Sequence, residues 1–168
     1  MIRVLALDID GVLTDGKVTL DEAGHESKVV SYRDIEAVFL AQRQGIRVAL
    51  VTGEASPWVA MIARRLEVKH LYQGAKDKRH ALEVLCGELG VDLKEVCYVG
   101  DSPRDVEALT MVGLALSPRD ASSAAQAVAH RLLDHRGGNG AVAEAVEIVL
   151  QTGTAAGELS KSKLGREV

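Results

Sequence analysis

The chain has 168 residues, 47% of them hydrophobic and 26% charged, enough for one soluble domain with its own core. A net charge of −4 without a dense basic run, and only 3% aromatic residues to stack on bases, exclude a nucleic-acid binder. No apolar run approaches the roughly 20 residues that span a bilayer. Met1 leads almost at once into an apolar strand, so neither a membrane anchor nor a secretory leader is expected, and the expected location is cytoplasmic. Cys86, in a predicted helix, and Cys97, at a strand start, read as buried free thiols. The five scattered histidines have no zinc-ligand spacing.

Val4–Leu7 is an unbroken apolar run, which reads as a buried parallel strand. Asp8-Ile9-Asp10-Gly11 follows immediately, and ligands of open α/β sheets bind at strand carboxyl ends. Residues i and i+2 of a strand share a face, which directs Asp8 and Asp10 into one pocket. Two such carboxylates repel unless a cation lies between them or one is protonated. An all-oxygen donor set favours Mg²⁺. Taken alone, Asp-x-Asp-Gly is as often a solvated turn, so partners further along decide.

Lys17–Leu20 and His25–Tyr32 alternate polar and apolar around the turn Asp21–Gly24, which predicts a β-hairpin inserted after the acidic turn. It serves as a flap at the pocket mouth, as a sheet edge or as a subunit contact. Ile35, Val38, Phe39 and Gln42 fall at helical spacing, with Asp34 as N-cap and Gly45 as stop. Val48–Val51 is a second buried strand ending in Thr52-Gly53-Glu54. A hydroxyl with free N–H groups there suits an anionic oxygen, or simply closes the strand.

Ser56-Pro57 opens a helix with Val59, Ile62 and Leu66 inward and Trp58, Met61 and Arg65 on a neighbouring face. Leu71–Tyr72 is a short strand. A helix from about Asp77 to Leu89, stopped by Gly90, carries Lys76 and Lys78 at its amino end. Cations there oppose the helix dipole, a misfit that a bound anion resolves. Val96–Val99 is a third buried strand, ending Gly100-Asp101-Ser102-Pro103-Arg104-Asp105. Asp101 is assigned to the metal, and Asp105 to holding Lys78 or a metal-bound water. Gly113–Leu116 reads as a fourth core strand, Asp120–Ala129 as a helix, Gly137–Gly140 as a flexible loop and Ala141–Leu150 as the last helix. One domain is thus expected over residues 1–151, with the hairpin insert at about 17–32 and a mobile tail at 152–168.

Strand–helix alternation predicts an α/β fold. Acid, threonine, lysine and acid arrive in turn at strand or helix ends, and together they make a phosphoryl-transfer site. One carboxylate attacks phosphorus to form an aspartyl-phosphate. A second protonates the leaving oxygen and later deprotonates water. A divalent metal and a lysine neutralise the phosphoryl oxygens, which Thr52 and its neighbouring N–H groups hold in line.

Asp8 to Gly16, Thr52-Gly53, Lys78 and Gly100-Asp101 together resemble the haloacid dehalogenase superfamily of phosphatases, over nearly the whole chain. Asp15-Gly16, His70–Gly74 and Gly137–Val142 are similar to its cap-less branch of 3-deoxy-D-manno-octulosonate 8-phosphate and nonulosonate 9-phosphate phosphatases. The resemblance implies a Rossmann-like three-layer αβα sandwich with a parallel central sheet and the hairpin in place of a cap. It implies Asp8 as nucleophile and Mg²⁺ ligand, and Asp10 as acid/base and as a ligand through its carbonyl. Thr52 and Lys78 would bind the phosphoryl group, and Asp101 would complete the metal site. It further implies a phosphorylated sugar acid as substrate and a homotetramer built through the hairpin. A carboxyl tail whose Lys161, Lys163 and Arg166 touch substrate also follows from it.

Octulosonate enzymes usually carry arginine after Thr-Gly, where this chain has Glu54. The nonulosonate type pairs a glutamate there with a lysine on the next helix, near where Arg65 falls. Gly53, Glu54 and Arg65 therefore join the expected substrate residues, and the reading leans to a nonulosonate 9-phosphate, with the octulosonate 8-phosphate as alternative. Two departures stand out: Glu36 adds negative charge near the entrance, and Ser102 replaces a frequent second aspartate, which weakens metal binding. A vestigial oligomerisation domain of sialic-acid synthesis is the other reading, against which Asp8, Asp10, Lys78 and Asp101 are intact. A phosphotransferase or mutase would need a larger cap to keep water out.

Overall fold

The computed structural model describes the chain through residue 164, and side chains through residue 153. In chain order the elements are β1 (Val4–Leu7), β2 (Thr19–Leu20), β3 (Glu26–Ser27), α1 (Tyr32–Arg43), β4 (Arg47–Val51), α2 (Pro57–Arg65) and β5 (His70–Tyr72). Then come α3 (Lys78–Leu89), β6 (Val96–Val99), α4 (Val106–Met111), β7 (Leu114–Ser117), α5 (Ser123–Val128), β8 (Arg131–Leu132) and α6 (Ala141–Leu164).

Six strands form one sheet in the order β5-β4-β1-β6-β7-β8, every neighbour parallel. β1 is central: Leu7 pairs with Leu50 on one side and Val99 on the other. Its side chains alternate between two cores. Leu5 and Leu7 join the core lined by α1, α2 and α6, while Val4 and Ala6 join the core lined by α3, α4 and α5. Burial on both faces is why its sequence is continuously apolar. The three-layer αβα sandwich expected from the sequence is what the chain builds. After β1 the chain leaves to one face and after β6 to the other, so the crevice beyond their carboxyl ends is the topological switch point.

Several local expectations are corrected. α1 starts at Tyr32, with Ser31 at the N-cap, so Tyr32 belongs to the helix and not to the hairpin. Asp34 is not the cap of its own helix. It is fully buried and accepts from the Gly140 N–H at 3.1 Å and the Ala143 N–H at 2.9 Å, capping α6 instead. Burial raises its carboxyl pKa. The Gly137–Gly140 segment is packed rather than free: the Gly138 N–H donates to the Val12 carbonyl at 3.0 Å. A Cβ on Gly137 would stand 1.9 Å from the Gly11 carbonyl oxygen. The glycines thus exist so that this loop can lie against the acidic turn.

The hairpin ladder is short, two residues a side, with a further bridge between Thr14 and Val30. A 3₁₀ turn at Pro103–Asp105 precedes α4. α5 is trimmed to six residues behind its Ser122 cap. The two-residue β8 carries no readable pattern and forms only by pairing with β7. α6 continues beyond Leu150 to Leu164; the side chains of Lys161 and Lys163, and all of Arg166, lie outside the described residues. Among the described residues no helix is long and apolar enough to cross a membrane. Cys86 and Cys97 are buried free thiols, as expected.

Candidate active site

β1 pairing continues one step past the strand, with the Asp8 N–H on the Val99 carbonyl at 3.0 Å, which fixes where the Asp8 side chain emerges. Its Oδ1 accepts from the Ile9 N–H at 2.7 Å and its Oδ2 from the Lys78 Nζ at 2.7 Å. The turn beyond is drawn together by Thr14, whose Oγ1 accepts from the N–H groups of Gly11 and Gly16. Gly11 adopts a φ of +83°, and a Cβ there would stand 2.0 Å from Asp101 Oδ2. Only glycine lets the β1 turn and the β6 turn approach this closely.

Lys78 reaches the site as the first residue of α3, behind the Asp77 cap. Its ammonium donates to Asp105 Oδ1 at 2.6 Å as well as to Asp8. Burial works against that charge, but the carboxylates of Asp8 and Asp105 outweigh it and hold the ammonium pKa above the lysine range. Asp105 is saturated: Oδ1 also accepts from the Tyr98 hydroxyl, and Oδ2 accepts from the Asp101 N–H, the Ser102 N–H and the Ser102 hydroxyl. Burial pushes Asp105 up, yet Lys78 and these donors bring its pKa below the usual carboxylate value. Of the two roles weighed for Asp105, holding Lys78 is the one seen.

Asp8, Asp101 and Asp105 bring carboxylate oxygens within 4.8 Å of one another. Burial, followed by repulsion from Asp105, pushes Asp8 up to about 7 and Asp101 up to about 6. Asp101 Oδ1 is buried with no hydrogen-bond partner among the described residues. An orphaned buried oxygen beside a second under-compensated carboxylate is the donor set of a hard divalent cation, so the residues present fit one.

These groups open into a cavity of about 850 Å³ lined by Asp8, Asp10, Thr52, Gly53, Glu54, Lys78 and Asp101, with Lys76, Ser102 and Arg104 also on its wall. Thr52 is buried, and its hydroxyl accepts from the Glu54 N–H at 3.2 Å. Asp8, Asp10, Thr52, Gly53, Glu54, Lys78 and Asp101, far apart in sequence, thus meet in one place. Arg65 does not join them. It is exposed at the last position of α2, eight residues beyond Pro57, roughly 12 Å of helix rise, and does not line the cavity. Glu36 is likewise exposed and away from the cavity wall.

Glu54 pairs instead with Lys28, a residue the sequence reading passed over. The Lys28 ammonium donates to Glu54 Oε2 at 2.6 Å and to Asp10 Oδ1 at 2.9 Å. That hydrogen bond from Lys28 is the main reason the Glu54 pKa lies below its usual value. Burial opposes the lysine's charge, but the two carboxylates prevail and raise its pKa. Tyr98 was also passed over, as one more apolar residue of a buried strand.

A haloacid dehalogenase-like hydrolase family model matches residues 26–113. The chain is 35% identical over 162 residues to the 3-deoxy-D-manno-octulosonate 8-phosphate phosphatase of Escherichia coli K12, covering 96% of this chain and 85% of that protein. It is 34% identical to the enzyme of that name from Yersinia pestis, over 89% of this chain and 80% of the other. The chain belongs to the haloacid dehalogenase-like hydrolase family. It is a phosphatase of that family.

Solved structures agree with this assignment. The hydrolase superposes with a TM-score of 0.86 on the Moraxella catarrhalis 3-deoxy-D-manno-octulosonate 8-phosphate phosphatase, at 33% identity and with 89% of this chain and 86% of that one covered. That crystal structure holds a magnesium ion, a phosphate ion and KDO. A haloacid dehalogenase hydrolase from Legionella pneumophila matches with a TM-score of 0.89 at 31% identity, covering 98% of this chain and 91% of that one.

Proposed function

We propose that the protein hydrolyses the phosphate monoester of a sugar acid, with 3-deoxy-D-manno-octulosonate 8-phosphate as the favoured substrate. The observation that carries the chemistry is the convergence of Asp8, Lys78 and Asp101, with the unpartnered Asp101 oxygen, in one cavity at the switch point. Asp8 is the nucleophile, Asp10 the acid that protonates the leaving oxygen and the base that then activates water. Lys78 and Thr52 hold the phosphoryl oxygens, and the Lys78 ammonium favours the ionised form of Asp8 that attacks, against the burial that raises its pKa. Asp8 and Asp101, with the Asp10 carbonyl, would hold Mg²⁺, which when bound neutralises charge on the phosphoryl group.

The substrate order reverses the lean of the sequence. A nonulosonate 9-phosphate was favoured by a Glu54–Arg65 pair, but Glu54 is already held by Lys28. The octulosonate relatives over nearly the full chain support that sugar. Glu54 on the cavity wall keeps the 9-phosphate as the second reading. Phosphate release is measured on both sugar-acid phosphates with magnesium. The 8-phosphate is turned over with the higher kcat/KM, and Asp8→Asn lowers that rate on the order of 10⁴-fold or more. A wild-type preference for the 9-phosphate would reverse the order, and no magnesium-dependent turnover of either would defeat the reading.

The same proposal takes residues 1–151 as the catalytic domain and the protein as a homotetramer. Val18, Leu20, Val29 and Tyr32 expose apolar side chains on and beside the hairpin, an unusual cluster for a surface in water. Light scattering at micromolar concentration should give four times the chain mass, and Leu20→Glu with Val29→Glu should lower it.

A further inference from the structure

Lys28 carries an inference that rests on the phosphatase reading and goes beyond it. The residue is supplied by the hairpin, one position after β3. Its side chain is 5% exposed, whereas its two partners are open to the cavity, Asp10 at 40% and Glu54 at 30%. It therefore stands behind the two carboxylates, and they face the substrate. On the other side its ammonium lies 5.1 Å from the centre of the Trp58 ring, within cation–π range. Ordering a lysine costs rotamer entropy, and covering its charge costs hydration. The two carboxylates and the Trp58 ring face offset these costs together.

We propose that Lys28 is a positioning residue for leaving-group chemistry: delivered by the hairpin, it clamps Asp10 towards the ester oxygen and Glu54 beside it towards the hydroxyls of the departing sugar. Without the ammonium, two neighbouring carboxylates would face each other unscreened and turn apart. Asp10 would then be misplaced by enough to spoil a proton transfer that needs hydrogen-bond contact. The P–O bond to a sugar breaks with the electron pair going to a poorly stabilised alkoxide, which takes the Asp10 proton as it leaves. The P–O bond of p-nitrophenyl phosphate breaks to a phenolate stable without that proton. That substrate also offers Glu54 no hydroxyl. The clamp therefore matters for departure of one leaving group and not of the other, and kcat/KM, which ends with that departure, reports it apart from the later water activation that both substrates share.

The test compares wild type with Lys28→Met and Lys28→Arg, in the presence of magnesium. The substrates are p-nitrophenyl phosphate and whichever sugar-acid phosphate wild type turns over faster. In Lys28→Met, kcat/KM on the sugar phosphate falls at least about 100-fold, the low end of the range for lost acid catalysis. On the aryl phosphate it falls less than about threefold, and Lys28→Arg recovers most of the loss. Equal losses on both substrates, as from a hairpin merely loosened, or no loss on the sugar phosphate, overturn the proposal. If Lys28→Met does not fold by circular dichroism, Lys28→Gln, which keeps donors but no charge, is held to the same two ratios. Wild-type inactivity on both substrates would remove the phosphatase reading itself; an active wild type with equal losses removes this proposal alone.

Discussion

Lys78 and Asp105 form a buried ion pair on which both the stability of the site and its proposed chemistry rest. Lys78 bridges Asp8 and Asp105, and its side chain is almost completely covered. Removing one partner of a buried pair strands the other. Lys78→Met should therefore lower stability by about 3–5 kcal/mol in urea unfolding and kcat by about 10²–10³-fold, the scale of a lost transition-state donor. Tyr98→Phe removes one of several donors to Asp105 and should cost only about 1 kcal/mol, with kcat within a few-fold of wild type. An equal effect of the two substitutions would contradict the central place given to Lys78. Tyr98 also shows where residue-level reading stops. In the run Val96–Val99 nothing distinguishes a tyrosine chosen for its ring from one chosen for its hydroxyl. The decision lies with Asp105, seven residues on, whose 3₁₀ turn brings it under the phenol.

At the scale of elements, the acidic turn after β1 depends on a loop more than 120 residues away. Gly137 and Gly138 pack against its backbone, and Asp34 of α1 caps the helix that follows. Gly137→Ala should lower the melting temperature and kcat together, because its Cβ would meet the Gly11 carbonyl carbon and oxygen at 2.5 and 1.9 Å. Gly87→Ala, in α3 with nothing within 4 Å of its Cβ, should instead stabilise by about 1 kcal/mol and leave kcat unchanged. Differential scanning fluorimetry with an aryl phosphate assay distinguishes the two. The element pattern was legible because each signal was local: continuous apolar runs for two-faced strands, Ser56-Pro57 for a helix start, Gly90 at φ +61° for a helix end. Asp34 misled because an acid near a helix start looks the same whether it caps that helix or a different one. Arg65 misled because its helix begins at the pocket, while the residue itself rides to the far end.

For the molecule as a whole, the sheet collects acids at its switch point, and a cation is what makes that collection stable. Asp8 and Asp101, raised to about 7 and 6 by burial, bind protons more tightly folded than unfolded. In the metal-free protein their contribution to stability is complete below about pH 4, the unfolded carboxylate value. It is lost as pH rises through 6 to 7. Magnesium binding requires ionised carboxylates, so its stabilisation runs the other way. At about 100 times its dissociation constant it adds about 2.7 kcal/mol, roughly 5–10 °C in melting temperature for a chain of this size. That gain should be present at pH 8 and largely absent at pH 5, and Asp101→Asn should reduce it at pH 8. A magnesium-induced shift independent of pH between 5 and 8 would contradict the assignment of these carboxylates.

The sequence by itself determined the fold class and the central strand, and it put Asp8, Asp10, Thr52, Lys78 and Asp101 at the ends of elements whose hydrophobic period is written locally, ends that meet in one cavity. Tertiary structure alone decided which charges touch. Lys28 on Glu54 and Asp10, Tyr98 on Asp105 and Asp34 on α6 are contacts between segments that no spacing connects. A buried charge is satisfied by whatever the folded backbone carries to within about 3 Å, and that distance is set only when the layers close.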